Sequence, residues 1–240
     1  MHRLAYDLHI HSCLSPCSDE DMTPANIVNM AKLTGLDVIA VTDHNSCKNC
    51  PAVFSFAQKN DIIAIPGMEL CTMEEVHVLC LFPDLENAMA FDSYVYDRLI
   101  KILNNEKVFG KQEIYNEDDV KIGEEPYLLI NATDITFDNL DKLMKEYDGV
   151  YIPAHVDKTS TSLISNLGFV PPDANFKCAE IKDAQKTGEM KMQHPYFNRC
   201  NIVFNSDAHS LWDINEAVNF IEVKERDAKS VLEALVGAAT

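Results

Sequence analysis

No apolar run approaches the roughly 18 residues that a membrane-spanning helix requires, so the 240-residue chain offers no candidate transmembrane segment. Its N-terminus enters a strand-like stretch without an apolar leader, and the expectation is a soluble, cytoplasmic protein with no membrane partner. Positive charge is scarce. Twenty Lys and Arg stand against 38 Asp and Glu, giving a net charge of −18 and a pI near 4.7. A field of that sign repels polyanions held through their backbones, so long nucleic acid is disfavoured as a partner, which leaves room for a small anionic substrate. Internal repeats and low-complexity tracts are also missing. With 47% apolar and 24% charged residues, the composition is that of a globular chain able to bury one core.

The chain alternates strand and helix signals. Leu4 to His11 is the first strand; Thr23-Pro24 supplies an N-cap and an initial proline for a helix that Gly35 ends. Further strands are expected at Asp37–Thr42, Ile62–Ile65, Val76–Phe82, Val150–Ala154, Lys177–Ile181, Ile202–Asn205 and Phe220–Val223. Helices are expected at Pro51–Ala57, Leu85–Leu103, Asp138–Tyr147 and Ala228–Val236. Residues 108–125 are polar and aperiodic, with six acidic residues and two lysines, and read as a solvent-facing insertion or lid. Strands without a polar face suggest parallel strands covered on both sides, and hence an α/β barrel with its site at the C-terminal strand ends.

Potential metal ligands gather at those ends. In Asp7-Leu8-His9-Ile10-His11 the two imidazoles share one face of a strand, because alternate side chains point the same way. Asp19, His44, Glu69, His77, His155, Asp207 and His209 likewise lie in or just after strand-like runs. Nine nitrogen and oxygen donors exceed the four or so that one zinc takes and suit two or three divalent ions. The histidine content points to Mn, Fe or Zn rather than Mg.

These motifs resemble the PHP family, named for polymerase and histidinol phosphatase. Asp7-Leu8-His9-Ile10-His11-Ser12, Val41-Thr42-Asp43-His44-Asn45, Ile65-Pro66-Gly67-Met68-Glu69 and Asn205-Ser206-Asp207-Ala208-His209 carry the resemblance, from Tyr6 to about Trp212. It implies a single PHP-like domain over residues 1–240, folded as a distorted (βα)7 barrel. It also implies metal-dependent hydrolysis of a phosphoester, preferred here as a small phosphomonoester or nucleotide. By the same resemblance His9, His11, Glu69 and Asp207 hold one ion. Glu69 bridges to a second held by His77 and His155, and Asp19, His44 and His209 hold a third. The turn after the first motif is longer than the family's usual one, so Glu20 and Asp21 are alternatives to Asp19. Asp43 is placed to orient a ligand imidazole or to cap local backbone, and Lys158, just after His155, to touch phosphate oxygen.

Cys13 and Cys17 follow the first strand, and Cys47 and Cys50 follow the second. They read as free thiols, as a separate zinc or iron-sulfur site, or as a redox pair. Two further functional readings remain: a non-catalytic, metal-binding regulatory module, and an exonuclease or oligonucleotide phosphoesterase. Oligomeric state is not set by the sequence.

Overall fold

A computed structural model of the chain describes residues 1–237. In order it forms β1 (His2–Ile10), α1 (Pro24–Thr34), β2 (Val38–Val41), α2 (Cys50–Lys59), β3 (Ile63–Ala64), β4 (Gly67–Cys71), β5 (His77–Leu81) and α3 (Leu85–Arg98). There follow α4 (Glu106–Phe109), β6 (Glu113–Tyr115), β7 (Lys121–Glu124), α5 (Leu140–Glu146), β8 (Val150–Pro153), α6 (Leu163–Leu167), β9 (Cys178–Glu180), α7 (Thr187–Gln193), β10 (Asn201–Val203), β11 (Phe220–Val223) and α8 (Ala228–Val236). The first helix begins as its sequence requires: the Thr23 hydroxyl accepts from the Asn26 N–H, and Gly35 ends it in the left-handed region at φ 80°.

β1 pairs antiparallel with β11 and parallel with β2, which pairs with β3. β4, β5 and β8 form an antiparallel sheet, β9 and β10 a parallel pair, and β6 and β7 a hairpin. The sheets meet at one end through single links. Ile10 bridges to Ala208, His44 bridges to Glu69, and the Val156 N–H donates to the Glu180 carbonyl at 2.9 Å. Among the described residues no sheet closes on itself, so the expected barrel becomes a mixed α/β architecture of joined short sheets. The reason is local: β4–β5–β8 runs antiparallel, and β9 and β10 are three residues each, too short for continuous ladders.

The expected strands at Ile62–Ile65 and Val76–Phe82 leave out β4, which lies between them. Gly67 looks like a breaker in sequence, but a Cβ there would lie 2.5 Å from the Cys80 carbonyl oxygen, so glycine is what lets β4 lie against β5. Beneath the linked strand ends, Leu8, Ile65, Leu79, Ile152, Ala154, Cys178 and Val203 form an apolar floor. Each full-length aliphatic side chain buried there contributes roughly 2 kcal/mol, offsetting the desolvation of the polar side chains above it. No helix among the described residues is long and apolar enough to cross a membrane.

Candidate metal centre

Glu69, in the middle of β4 and buried, is the hub. Its Oε1 lies 2.9 Å from His77 Nδ1, 3.1 Å from His155 Nε2 and 3.3 Å from His9 Nε2. Its Oε2 lies 3.0 Å from His44 Nδ1 and 3.4 Å from His11 Nε2. Burial alone raises a carboxyl pKa, but the imidazoles of His77, His9 and His44 hold Glu69 well below the usual range. Burial lowers His77 while Glu69 raises it, and the net is an imidazole pushed up to about 10. His44 goes the other way, down to about 3, through burial and then the nearby His11.

The protons of two imidazoles can be assigned from their partners. His9 Nδ1 sits 3.0 Å from Glu180 Oε2, and a carboxylate only accepts, so Nδ1 carries a proton and Nε2 is the atom turned to the centre. The Ser15 hydroxyl donates to Asp43 Oδ1 at 2.7 Å, so at 3.0 Å it accepts from His11 Nδ1, which leaves His11 Nε2 as the atom facing the centre. These two nitrogens face each other at 3.1 Å, with Glu69 and Asp207 oxygens 3.3–3.4 Å away. Positive charge is needed between them, supplied by a proton or by a metal ion. Two nitrogens each about 2.1 Å from one ion at a tetrahedral angle stand about 3.4 Å apart, close to the spacing found. His44 Nδ1, though 3.0 Å from Glu69, has no directed hydrogen bond and is buried.

Ligand atoms cluster in three groups: His9–His11–Glu69, His44–Glu69–His77 and His11–His44–His209. The donor set therefore fits one or more divalent ions. Asp207 Oδ1 is 3.4 Å from both His9 and His11, and its Oδ2 accepts from Lys158 Nζ at 2.6 Å. His209 Nδ1 faces the Asp207 carbonyl at 2.9 Å, leaving Nε2 toward the centre. His155 and Asp207 sit in the left-handed backbone region, at φ 31° and 51°, where non-glycine residues store strain.

Asp19 is beside the site but outside these groups: its N–H donates to the His209 carbonyl at 2.9 Å, while its side chain is exposed. Asp43 accepts from the Ser12 N–H at 2.7 Å and from the Ser15 hydroxyl at 2.7 Å, and that hydroxyl meets His11 Nδ1 rather than the neighbouring His44.

Glu180 escaped the sequence reading. It fixes His9, accepts the His155 N–H at 2.9 Å and is held by Asn205 Nδ2 at 2.7 Å. The available signal was a lone carboxylate in the apolar run Cys178-Ala179-Glu180-Ile181, which a buried strand carries only when it is paired.

The four cysteines do not form a ligand group among the described residues. Cys13 Sγ turns to the Glu113 carbonyl, Cys17 is exposed, and Cys47 and Cys50 are buried in the core under β4 and β5. Residues 108–125 contain the β6–β7 hairpin, and the Glu113 N–H donates to the Cys13 carbonyl at 2.8 Å beside the site. At Gly110, φ is 97° and a Cβ would fall 2.2 Å from the Pro16 carbonyl oxygen, so only glycine fits where this segment touches the loop after β1.

The PHP domain family model matches residues 7–159, and a PHP-associated model matches residues 198–240. An uncharacterised protein of Methanocaldococcus jannaschii is 28% identical over 163 residues, which is 68% of this chain and 18% of that one. Among solved structures, the lesion-specific endonuclease EndoQ of Pyrococcus furiosus superposes with a TM-score of 0.69 at 21% identity, over 99% of this chain and 57% of that one. Endonuclease Q bound to a 27-mer duplex with an abasic lesion at its active site gives a TM-score of 0.66 at 22% identity, over 98% and 56%. The chain thus spans less than two thirds of each. The expectation that acidic composition disfavours long nucleic acid is corrected here, because a protein of this fold takes duplex DNA at its active site. Net charge is a sum over the whole surface and does not describe the surface around one site.

Proposed function

Because the chain belongs to the PHP domain family of metal-dependent phosphoesterases, we propose that it is a phosphoric ester hydrolase whose substrate is a phosphodiester of a nucleic acid. The observation that carries the reading is the pair of nitrogens, His9 Nε2 and His11 Nε2, facing each other at 3.1 Å beside Glu69. The likeness in fold to Endonuclease Q supports the substrate class. We read residues 1–240 as one PHP-like domain, with the 108–125 hairpin as an insertion at the mouth of the site.

His9, His11, Glu69, Asp207, His77, His155, His44 and His209 would hold two or three ions of Mn, Fe or Zn, with Asp19 turning inward to complete the set. When bound, such ions polarise phosphoryl oxygens and make water nucleophilic at neutral pH. Glu69 keeps donors gathered on both of its oxygens. Glu180 and Asp43 hold the tautomers of His9 and His11, so that both Nε2 atoms stay available. The Lys158 ammonium, now on Asp207, would bind a non-bridging phosphate oxygen.

The test is a manganese-supplemented assay of single-stranded and lesion-bearing duplex oligonucleotides beside phosphomonoesters. Cleavage of an oligonucleotide faster than any monoester is the expected result. Faster monoester hydrolysis removes the substrate assignment, and bound metal without hydrolysis of anything leaves a regulatory module.

A further inference from the structure

The acidity of this chain is unevenly placed. Residues 154–212, which carry the loops after β8, β9 and β10, hold six basic and six acidic residues, so the net −18 resides elsewhere in the chain. Three of those six acids, Asp157, Glu180 and Asp207, have buried side chains with 2%, 1% and 7% exposure. The segment is thus close to neutral in a chain whose remainder is strongly acidic.

Two of its lysines, Lys182 and Lys186, follow β9. Lys182 Nζ donates to the Ser206 carbonyl, one residue from Asp207. Lys186 Nζ is 3.8 Å from Asp157, whose oxygens already accept the Lys182 N–H at 2.8 Å and the Asp183 N–H at 3.1 Å. Lys182 has no carboxylate within 4 Å among the described residues, and the carboxylate beside Lys186, that of Asp157, is 3.8 Å away and shared with two backbone N–H groups.

Trp212, the single tryptophan, stands on the loop after β10, three residues beyond His209 and thus at most about 11 Å along the chain from it. Its side chain is 88% exposed although both flanks are anchored. Leu211 packs on the core beside α1, and Ile214 is buried. The turn between is held by the Ser210 hydroxyl on Asp213 Oδ2 at 2.8 Å. A large aromatic face held out to solvent by a fixed turn, on the same loop whose Ser206 carbonyl receives the Lys182 ammonium, has the chemistry of a single-strand platform.

We infer that Lys182, Lys186 and Trp212 form a flanking subsite for an unpaired nucleic-acid strand, the lysines meeting backbone phosphates and the indole stacking on a base. The inference rests on the phosphodiesterase reading above and adds the polarity of binding: the strand leaves the centre over β9 and β10, away from the acidic hairpin.

The test uses the full chain loaded with manganese, a labelled single-stranded oligodeoxynucleotide and the small diester bis(p-nitrophenyl) phosphate. In Trp212→Ala, and separately in Lys182→Glu/Lys186→Glu, the ratio of kcat/KM for the oligonucleotide to that for the diester should fall by about tenfold or more. The lysine pair should also flatten the dependence of log affinity on log salt by about 1.4. Oligonucleotide added to Glu69→Gln protein should quench the lone tryptophan's emission. Oligonucleotide cleavage with unchanged ratios and no quenching overturns the subsite and leaves the phosphodiesterase reading in place. Failure of the unsubstituted protein to cleave either diester overturns both.

Discussion

The hairpin β6–β7 and the loops after β9 and β10 flank the same centre but treat their lysines differently. In the hairpin, Lys121 lies 2.7 Å from Glu113 and also pairs with Glu124, while Lys111 pairs with Glu20 at 3.0 Å. Lys48, from the loop after β2, is bound to Glu125 of the same hairpin. Across the site, Lys182 rests on a backbone carbonyl and keeps its charge uncompensated. Both flanks contain cations; one leaves Lys182 free. What a phosphate meets on approach is set by that pairing, and no count of charged residues contains it.

The comparison breaks first if the centre between the flanks is dispensable. Glu69→Gln should lower the rate by about 10³ or more while far-UV circular dichroism stays unchanged, since catalysis by clustered ions depends on the carboxylate that gathers them. A near-normal rate would mean the flanks serve some other site. The next effect in size belongs to Glu180→Gln, a positioning change that frees the His9 ring. Metal affinity or activity should drop by about 10- to 100-fold, and added manganese should recover part of the rate, a rescue that a merely unfolded variant would not give.

Gly110→Ala tests how firmly the acidic flank is fastened. A side chain there meets the Pro16 carbonyl and must hold a positive φ, so urea unfolding should show a loss of about 1–3 kcal/mol. An unchanged midpoint would show that the hairpin does not need its contact with the loop after β1. The smallest effect is expected from Glu117→Lys/Asp118→Lys, on the exposed tip of the hairpin. Oligonucleotide affinity should rise about two- to fivefold at low salt and return to the original value as salt screens the tip. A larger gain would mean that the strand also crosses this side.

Much of the centre was legible before any coordinates because its ligands are chemically conspicuous. Histidines at the ends of apolar runs, in H-x-H and D-x-H spacings, have few structural uses in common. Glu180 was hidden because one carboxylate in a three-residue strand has no pattern, and its meaning lies in His9, 171 positions away. The hairpin was hidden for a related reason, since β6 and β7 of three and four residues are too short to display an alternation. No four-cysteine ligand group forms among the described residues, since loops leaving neighbouring strands can still turn their side chains apart, Cys13 toward the hairpin and Cys50 toward the Val41 and Gly67 carbonyls. The closed barrel failed because strand direction in β4–β5–β8 is a property of pairing and not of composition.

The left-handed backbone at His155 and Asp207 limits how this centre can be transplanted. Copying the ligand identities onto an idealised scaffold would place both side chains on the wrong bearing, since standard loops keep non-glycine residues at negative φ. A designer would need to import the turns themselves, together with Glu180, which receives the His155 N–H, and Asp7, which accepts the Ser206 N–H at 3.0 Å. The unit that can be moved from one protein to another is the bent chain with its anchors.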